Sequence, residues 1–157
     1  MDIHILFAKI SWILLIIILF VRPLADIFRW KFLFKILRFR KKLGIICGIS
    51  AILHVIVYLY GINSLSSYFS NSIFWKLDNF LGWGSLALIM MLFPLLTSNI
   101  FSQRFFKRKW KSVQRVTYLT FIFTGIHIFL IAGNWFYSLL PVLLWLILWI
   151  WAWKIKR

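Results

Sequence analysis

Acidic residues are almost missing from this sequence. Asp2, Asp26 and Asp78 are the only three among 157 residues, against nineteen lysines and arginines. Hydrophobic residues make up 63% of the chain, and the mean hydropathy is +0.92. A soluble domain of this length carries far more charge, so the composition predicts an integral membrane protein. The net charge of +16 does not indicate a nucleic-acid partner, because the basic residues border apolar runs, as membrane orientation requires.

Cysteine is equally scarce. Cys47 is the single cysteine, and it falls inside an apolar run. A lone cysteine excludes an intramolecular disulfide, a cysteine-ligated zinc site and an iron–sulfur cluster within this chain.

Five apolar runs are long enough to cross a bilayer whose hydrocarbon core is about 30 Å thick. A backbone in lipid must satisfy its own hydrogen bonds, so each run is predicted to be a helix. The sequence therefore predicts an all-α membrane bundle that forms one domain over residues 1–157. The predicted spans are residues 5–21, 43–61, 81–97, 116–132 and 135–153.

The basic residues predict how the bundle is oriented. Seventeen of the nineteen lie in segments 22–42 and 98–115 and in the tail after residue 153, and five spans place all three segments on one side. The positive-inside rule then puts the N-terminus outside and the C-terminus in the cytoplasm. Within the first cytoplasmic loop, residues 27–39 suit either an interfacial amphipathic helix or a basic connector bound to anionic headgroups.

Two histidines are predicted to lie at one depth in the membrane. His54 is eleven residues beyond Leu43, and His127 is eleven residues beyond Val116. At 1.5 Å per residue, both lie about 16–17 Å above the cytoplasmic edge, near or slightly beyond the midplane. The remaining histidine, His4, is predicted to be solvated at the outer terminus.

Equal depth on separate helices allows the two imidazoles to share one metal centre. The helix faces around the two rings contain several small residues, namely Cys47, Ala51 and Gly61. The full faces are Cys47, Ala51, Tyr58 and Gly61 near His54, and Val116, Thr120, Phe123, Thr124 and Asn134 near His127. Such faces leave room for a flat porphyrin. Zinc suits the pair less, because no third or fourth ligand accompanies it. Two axial histidines complete an iron porphyrin and favour electron transfer over oxygen chemistry.

A simpler interpretation also remains open. Small residues allow close helix packing, and each histidine can hydrogen-bond a neighbouring carbonyl or hydroxyl without any cofactor.

Short motifs in a consistent order resemble the ferric reductase-like transmembrane domain. They are RPL at 22–24, RKKLG at 40–44 with LH at 53–54, and LTSN at 96–99 with KWKSVQRVTYL at 109–119. The likeness covers roughly residues 12–130. Within the family, the chain resembles small bacterial members similar to the heme-binding membrane subunit of the protein-methionine-sulfoxide reductase system.

The resemblance implies a b-type heme with His54 and His127 as its axial iron ligands. Many family members have a further histidine thirteen residues before the second ligand, and it serves another heme. Here that position is Gln114, and no histidine lies near Lys41 on the facing helix. Because glutamine is a poor iron ligand, one heme b is predicted.

The chain also lacks the parts of a complete enzyme. It has no Gly-rich dinucleotide fingerprint and no segment long enough for a flavin domain, so no catalytic residue is assigned. The resemblance implies the electron-transfer subunit of an oxidoreductase in a bacterial inner membrane. A separate flavoprotein, quinol or another cytochrome would donate electrons, and a protein or small molecule would accept them.

Two other functions are compatible with the sequence. One is a non-catalytic membrane scaffold or assembly protein that keeps the fold. The other is a proton or ion relay through the histidines, which is weaker because the spans offer no Asp or Glu partner.

Overall fold

The computed structural model describes residues 2–155. This part of the chain is helical and contains no strand. Its helices are α1 (Ile3–Phe28), α2 (Lys31–Gly61), α3 (Phe80–Leu96), α4 (Ile100–Phe106), α5 (Trp110–Gln114), α6 (Thr117–Ala132) and α7 (Trp135–Ile155). Lys156 and Arg157, two cations of the predicted cytoplasmic tail, lie outside the described residues.

Within residues 2–155, four helical stretches are long and apolar enough to cross a membrane. They are α1, α2, the run from α4 through α6 (Ile100–Ala132) and α7. The remaining predicted span, residues 81–97, corresponds to α3, a shorter apolar helix of 17 residues. At 1.5 Å per residue it is about 26 Å long, close to the thickness of the hydrocarbon core. The predicted all-α membrane bundle is confirmed.

The first two helices are longer than the predicted spans. Arg29 ends α1 in the left-handed conformation, with φ of 54°, and its N–H bonds to the carbonyl oxygen of Ala25. Trp30 is extended, and α2 then starts at Lys31 and continues without a break to Gly61. Residues 27–39 therefore do not form one helix of their own, because Arg29 and Trp30 make the turn and residues 31–39 are the first part of α2. Over its 31 residues α2 is about 46 Å long, so the α1–α2 hairpin extends beyond the hydrocarbon core.

The five spanning helices form a ring. The α1 helix packs along α2, α3 packs along α6, and α7 contacts both α1 and α6. The interface of α2 with α3 is sparse, and no substantial interface joins α2 to α6. Space therefore remains between α2 and α6, the two helices that contain His54 and His127.

Trp12 connects three of these helices at the centre of the bundle. Its indole N–H donates to the carbonyl oxygen of Tyr137 on α7 at 3.2 Å. Its ring stacks on Phe121 of α6, and Trp145 of α7 meets Phe121 edge-on. Trp145 is therefore a core residue.

The α1–α2 contact has a polar component. The Cys47 thiol donates to the carbonyl oxygen of Ser11 at 3.3 Å, and the Ser11 hydroxyl donates to the carbonyl oxygen of Cys47 at 3.2 Å. Lipid tails are as apolar as leucine, so such hydrogen bonds and close packing hold membrane helices together. Cys47 thus has a packing role.

Candidate functional site

A cavity of about 470 Å³ opens in the half of the bundle next to the α2–α3 loop, which is the outer half in the predicted orientation. The five spanning helices and the loop between α2 and α3 all contribute to its wall, which is mostly apolar. This volume falls within the range of about 300–1,000 Å³ typical of ligand pockets. All three histidines of the chain line it: His4, His54 and His127.

His54 is held against the first turn of α1. Its ring nitrogen Nδ1 lies 2.9 Å from the carbonyl oxygen of His4. The side chain is half-buried, and it lies seven residues before Gly61 at the outer end of α2. At 1.5 Å per residue this is about 10 Å from that end.

His127 is held in the same way by a different helix. Its Nδ1 lies 2.7 Å from the carbonyl oxygen of Phe80, the first residue of α3. His127 is five residues before Ala132 at the end of α6, which is about 8 Å. The two rings therefore lie at similar depths, each fixed by a backbone carbonyl of a neighbouring helix.

These contacts determine the tautomer of each ring. A carbonyl oxygen only accepts hydrogen bonds, so Nδ1 of His54 and of His127 must carry the hydrogen in the bonded arrangement. In the neutral imidazole, the other nitrogen, Nε2, then has a free lone pair. Metal-binding histidines have this arrangement, because a hydrogen bond at one nitrogen orients the other toward the metal.

The two interpretations of the histidines are therefore not exclusive. The simpler one expects a hydrogen bond from each imidazole to a carbonyl, and both bonds are present. They use only one nitrogen of each ring, so they leave the second nitrogen available for a ligand.

Part of the predicted helix faces lines the cavity. The lining residues among them are Ala51, Tyr58, Thr120 and Thr124. Cys47 and Gly61 are not among the lining residues, because Cys47 turns toward Ser11 and Gly61 ends α2.

The prediction that His4 is solvated is wrong. Its side chain is half-buried and lines the cavity, and its ring stacks on that of His54 with centroids 5.9 Å apart. Antiparallel packing of α1 on α2 brings the second residue of α1 beside residue 54. The sequence shows both residues, but it does not show the relative rotation of the two helices.

Gly84 is a site residue that the sequence reasoning missed. A methyl group at this position of α3 would lie 2.8 Å from both Nδ1 and Cε1 of His127. Only glycine leaves room for the imidazole in its present position. The small residues Gly84 and Ser85 of span 3 were a usable signal, since they contrast with the large apolar residues around them.

The loop between α2 and α3 covers the outer end of the cavity. The Tyr68 hydroxyl donates to Ser85 Oγ at 2.8 Å, and the Trp75 indole N–H donates to the carbonyl oxygen of Tyr68 at 3.1 Å. Tyr68 and Phe74 are buried and line the cavity. This loop therefore closes the site toward the outer surface.

Gln114 lies at the opposite end of the bundle, beside the basic segment 98–115, and has another role. Its amide nitrogen donates to Thr97 Oγ1 at 2.9 Å and to the carbonyl oxygen of Pro94 at 3.2 Å. The Trp110 indole N–H also bonds to the carbonyl oxygen of Thr97. Gln114 thus connects the end of α3 to the segment before α6, at the position where many family members have a further histidine.

A metal in the cavity would need ligands beyond the protein. Within residues 2–155, no group of three or more His, Cys, Asp or Glu side chains is arranged to hold a metal ion. The free Nε2 atoms of His54 and His127 suit a metal that brings its own equatorial nitrogens, as iron in a porphyrin does. The donor set, the apolar wall and the volume fit a heme.

Comparison with known proteins covers most of the bundle, from α1 into α6. No curated protein and no solved structure matches this chain. The family of ferric reductase like transmembrane components matches residues 6–125, about three quarters of the chain. The match starts and ends earlier than the likeness over 12–130; it includes His54 and stops two residues before His127. The chain is thus a multi-pass membrane protein that belongs to the ferric reductase-like transmembrane family, whose members point to membrane electron transfer.

Proposed function

We propose that the protein is a b-type cytochrome that moves electrons across or within the membrane through one heme held by His54 and His127. The observation that supports this most is the pair of imidazoles in one cavity, each with Nδ1 bonded to a carbonyl and Nε2 left free. A heme with two axial histidines supplies reversible one-electron chemistry and has no open coordination position.

The protein's own contribution is to orient the two ligands and to keep water out. The carbonyl oxygens of His4 and Phe80 hold the rings, and Gly84 makes space for one of them. The mostly apolar wall and the covering loop give the site a low dielectric, which is one factor that sets a redox potential. These features support electron transfer rather than catalysis at the cavity.

A single heme is proposed because Gln114 stands where many family members have a further histidine, and its side chain makes other contacts. The Gln114 amide is bonded to Thr97 and Pro94, and all three histidines of the chain line the outer cavity. From His54 to Lys42, at the cytoplasmic side of α2, there are twelve residues, or about 18 Å. A donor must bridge this distance.

We propose a separate flavoprotein, quinol or another cytochrome as the donor, and a protein or small molecule near the outer face as the acceptor. The resemblance to membrane subunits of the protein-methionine-sulfoxide reductase type supports a bacterial inner membrane as the location. The lipid bilayer is a partner in any case, since exposed apolar side chains cover the spanning helices.

The test is to purify the full chain and record its reduced-minus-oxidised absorption spectrum and its pyridine hemochrome. We expect a b-type signal and a heme-to-protein ratio near one. A protein that is folded but contains no heme, and takes none up when heme is added, would contradict the proposal and favour the scaffold function.

A further inference from the structure

Lys9 is the one residue with a permanent charge among the described residues that line the cavity. It lies on α1, six residues after Ile3, and its side chain is exposed. No Asp or Glu lines the cavity. Within residues 2–155, Arg22 and Asp26 form an ion pair, and both lie far along the same helix from Lys9.

The depth of Lys9 makes this charge costly. At 1.5 Å per residue it is about 9 Å from the start of α1, comparable with the depths of His54 and His127 below the outer ends of their helices. A cation at membrane depth is expensive and usually pairs with an anion or marks a functional site. The acidic side chains of this bundle do not supply that anion.

The position of Lys9 on α1 places it at one edge of the cavity. At 100° per residue it is rotated by about 140° from His4, which faces α2. Lys9 is thus on the side of α1 toward α7, where Trp12 bonds to Tyr137 and Tyr137 lines the cavity. An extended ligand that reaches from the histidines to this edge would meet the ammonium group.

We propose that Lys9 is the binding residue for a carboxylate of the ligand in this cavity. The inference rests on the proposed function, under which the ligand is heme b and the carboxylate is one of its two propionates. A Lys ammonium and a carboxylate at the edge of an apolar cavity form a charge-assisted hydrogen bond, and the pair offsets part of the cost of either charge alone. Lys9 would thereby fix which edge of the porphyrin faces α7.

The competing interpretation is that Lys9 extends toward lipid headgroup phosphates, as lysines near helix ends do. The two differ in one respect: only the first depends on the negative charge of the ligand. Heme dimethyl ester, in which both propionates are esterified, removes that charge and keeps the iron and the ring.

The experiment measures dissociation constants of the full-length protein in detergent, stripped of heme, for heme b and for its dimethyl ester. Lys9→Met removes the charge and keeps the side-chain length. We expect Lys9→Met to bind heme b about tenfold more weakly than the original protein and to bind the ester equally well. Lys9→Arg should keep most of the heme b affinity. The matched control is Lys76→Met, because Lys76 is the other cation on the outer side, is exposed and does not line the cavity.

Each other outcome is informative. Unchanged heme b affinity in Lys9→Met would overturn the proposal and assign Lys9 to headgroup phosphates. An equal loss for heme b and for the ester would also overturn it, because Lys9 would then act through packing. If the original protein binds neither compound, the proposed function itself fails.

Discussion

Gly84 and His127 lie against each other so closely that the imidazole occupies the place where a side chain at residue 84 would begin. A Cβ there would be 2.8 Å from Nδ1 and Cε1 of the ring. Real Cβ atoms essentially never approach that closely. The glycine of one helix therefore sets the position of the histidine of another.

Gly84→Ala should displace the His127 ring and disturb its hydrogen bond to Phe80. Forcing an extra methyl into a packed site costs about 1–3 kcal/mol. We expect heme binding to weaken by about tenfold, measured as the heme-to-protein ratio and as the dissociation constant of the purified protein.

The control for this change is Gly44→Ala in the cytoplasmic half of α2, where a new Cβ has nothing within 4 Å. Both substitutions replace a helical glycine, so backbone effects are matched. Normal heme binding by Gly84→Ala would show that His127 does not need its present position.

His54→Ala and His127→Ala should each abolish heme binding, because each removes one of the two proposed axial ligands. The measurement is the b-type absorption signal at matched protein concentration. His4→Ala should retain the heme, because His54 bonds to the backbone carbonyl of residue 4, which alanine keeps. A variant at position 4 that loses heme while one at 54 or 127 retains it would assign His4 as a ligand instead.

Gln114→Ala should destabilise the protein without changing its heme content. It removes two hydrogen bonds at the cytoplasmic end of α3, to Thr97 and Pro94. Each such bond contributes about 0.5–1.5 kcal/mol, so the thermal unfolding midpoint should fall by several degrees. Gln114→His should keep the heme-to-protein ratio near one, because no histidine faces that position. A ratio near two in the unmodified protein would contradict the single-heme proposal directly.

Cys47 should be unreactive toward maleimide in the folded protein. Its side chain is 1% exposed, and its thiol bonds to the Ser11 carbonyl. Mass spectrometry should show labelling only after denaturation. Rapid labelling of the folded protein would mean that the α1–α2 interface opens at this point.

The orientation can be tested with new cysteines at two exposed serines. Ser66 lies in the outer loop and Ser112 in α5, on the side with most of the basic residues. In intact cells, a membrane-impermeant thiol reagent should label Ser66→Cys and leave Ser112→Cys unlabelled, as the positive-inside rule predicts. Both should react after the membrane is permeabilised. The reverse pattern would invert the orientation.

Hydropathy and charge were sufficient to predict the membrane bundle. Bilayer thickness limits the length of an apolar run, and basic residues mark one side, so both signals are local in sequence. The common depth of His54 and His127 follows from the same counting. These are properties of single helices.

The relations between helices were not predictable in this way. The bonds from His54 to His4 and from His127 to Phe80 join residues 50 and 47 positions apart. They depend on how each helix is rotated about its axis and how far it slides along its neighbour. Periodicity gives the face of a helix but neither of these quantities, so the burial of His4 and the role of Gly84 emerged only from the structure.

The helices of the ring are not packed equally tightly, because the interface between α2 and α3 is sparse. The helices form two tight pairs, α1 with α2 and α3 with α6, and α7 bridges them on one side only. A molecule bound to both His54 and His127 closes the ring on the other side. A molecule that binds only when the two pairs are together raises the free energy of unfolding, by an amount set by its concentration and its dissociation constant. Denaturation curves recorded with and without added heme would therefore give a second measure of the dissociation constant.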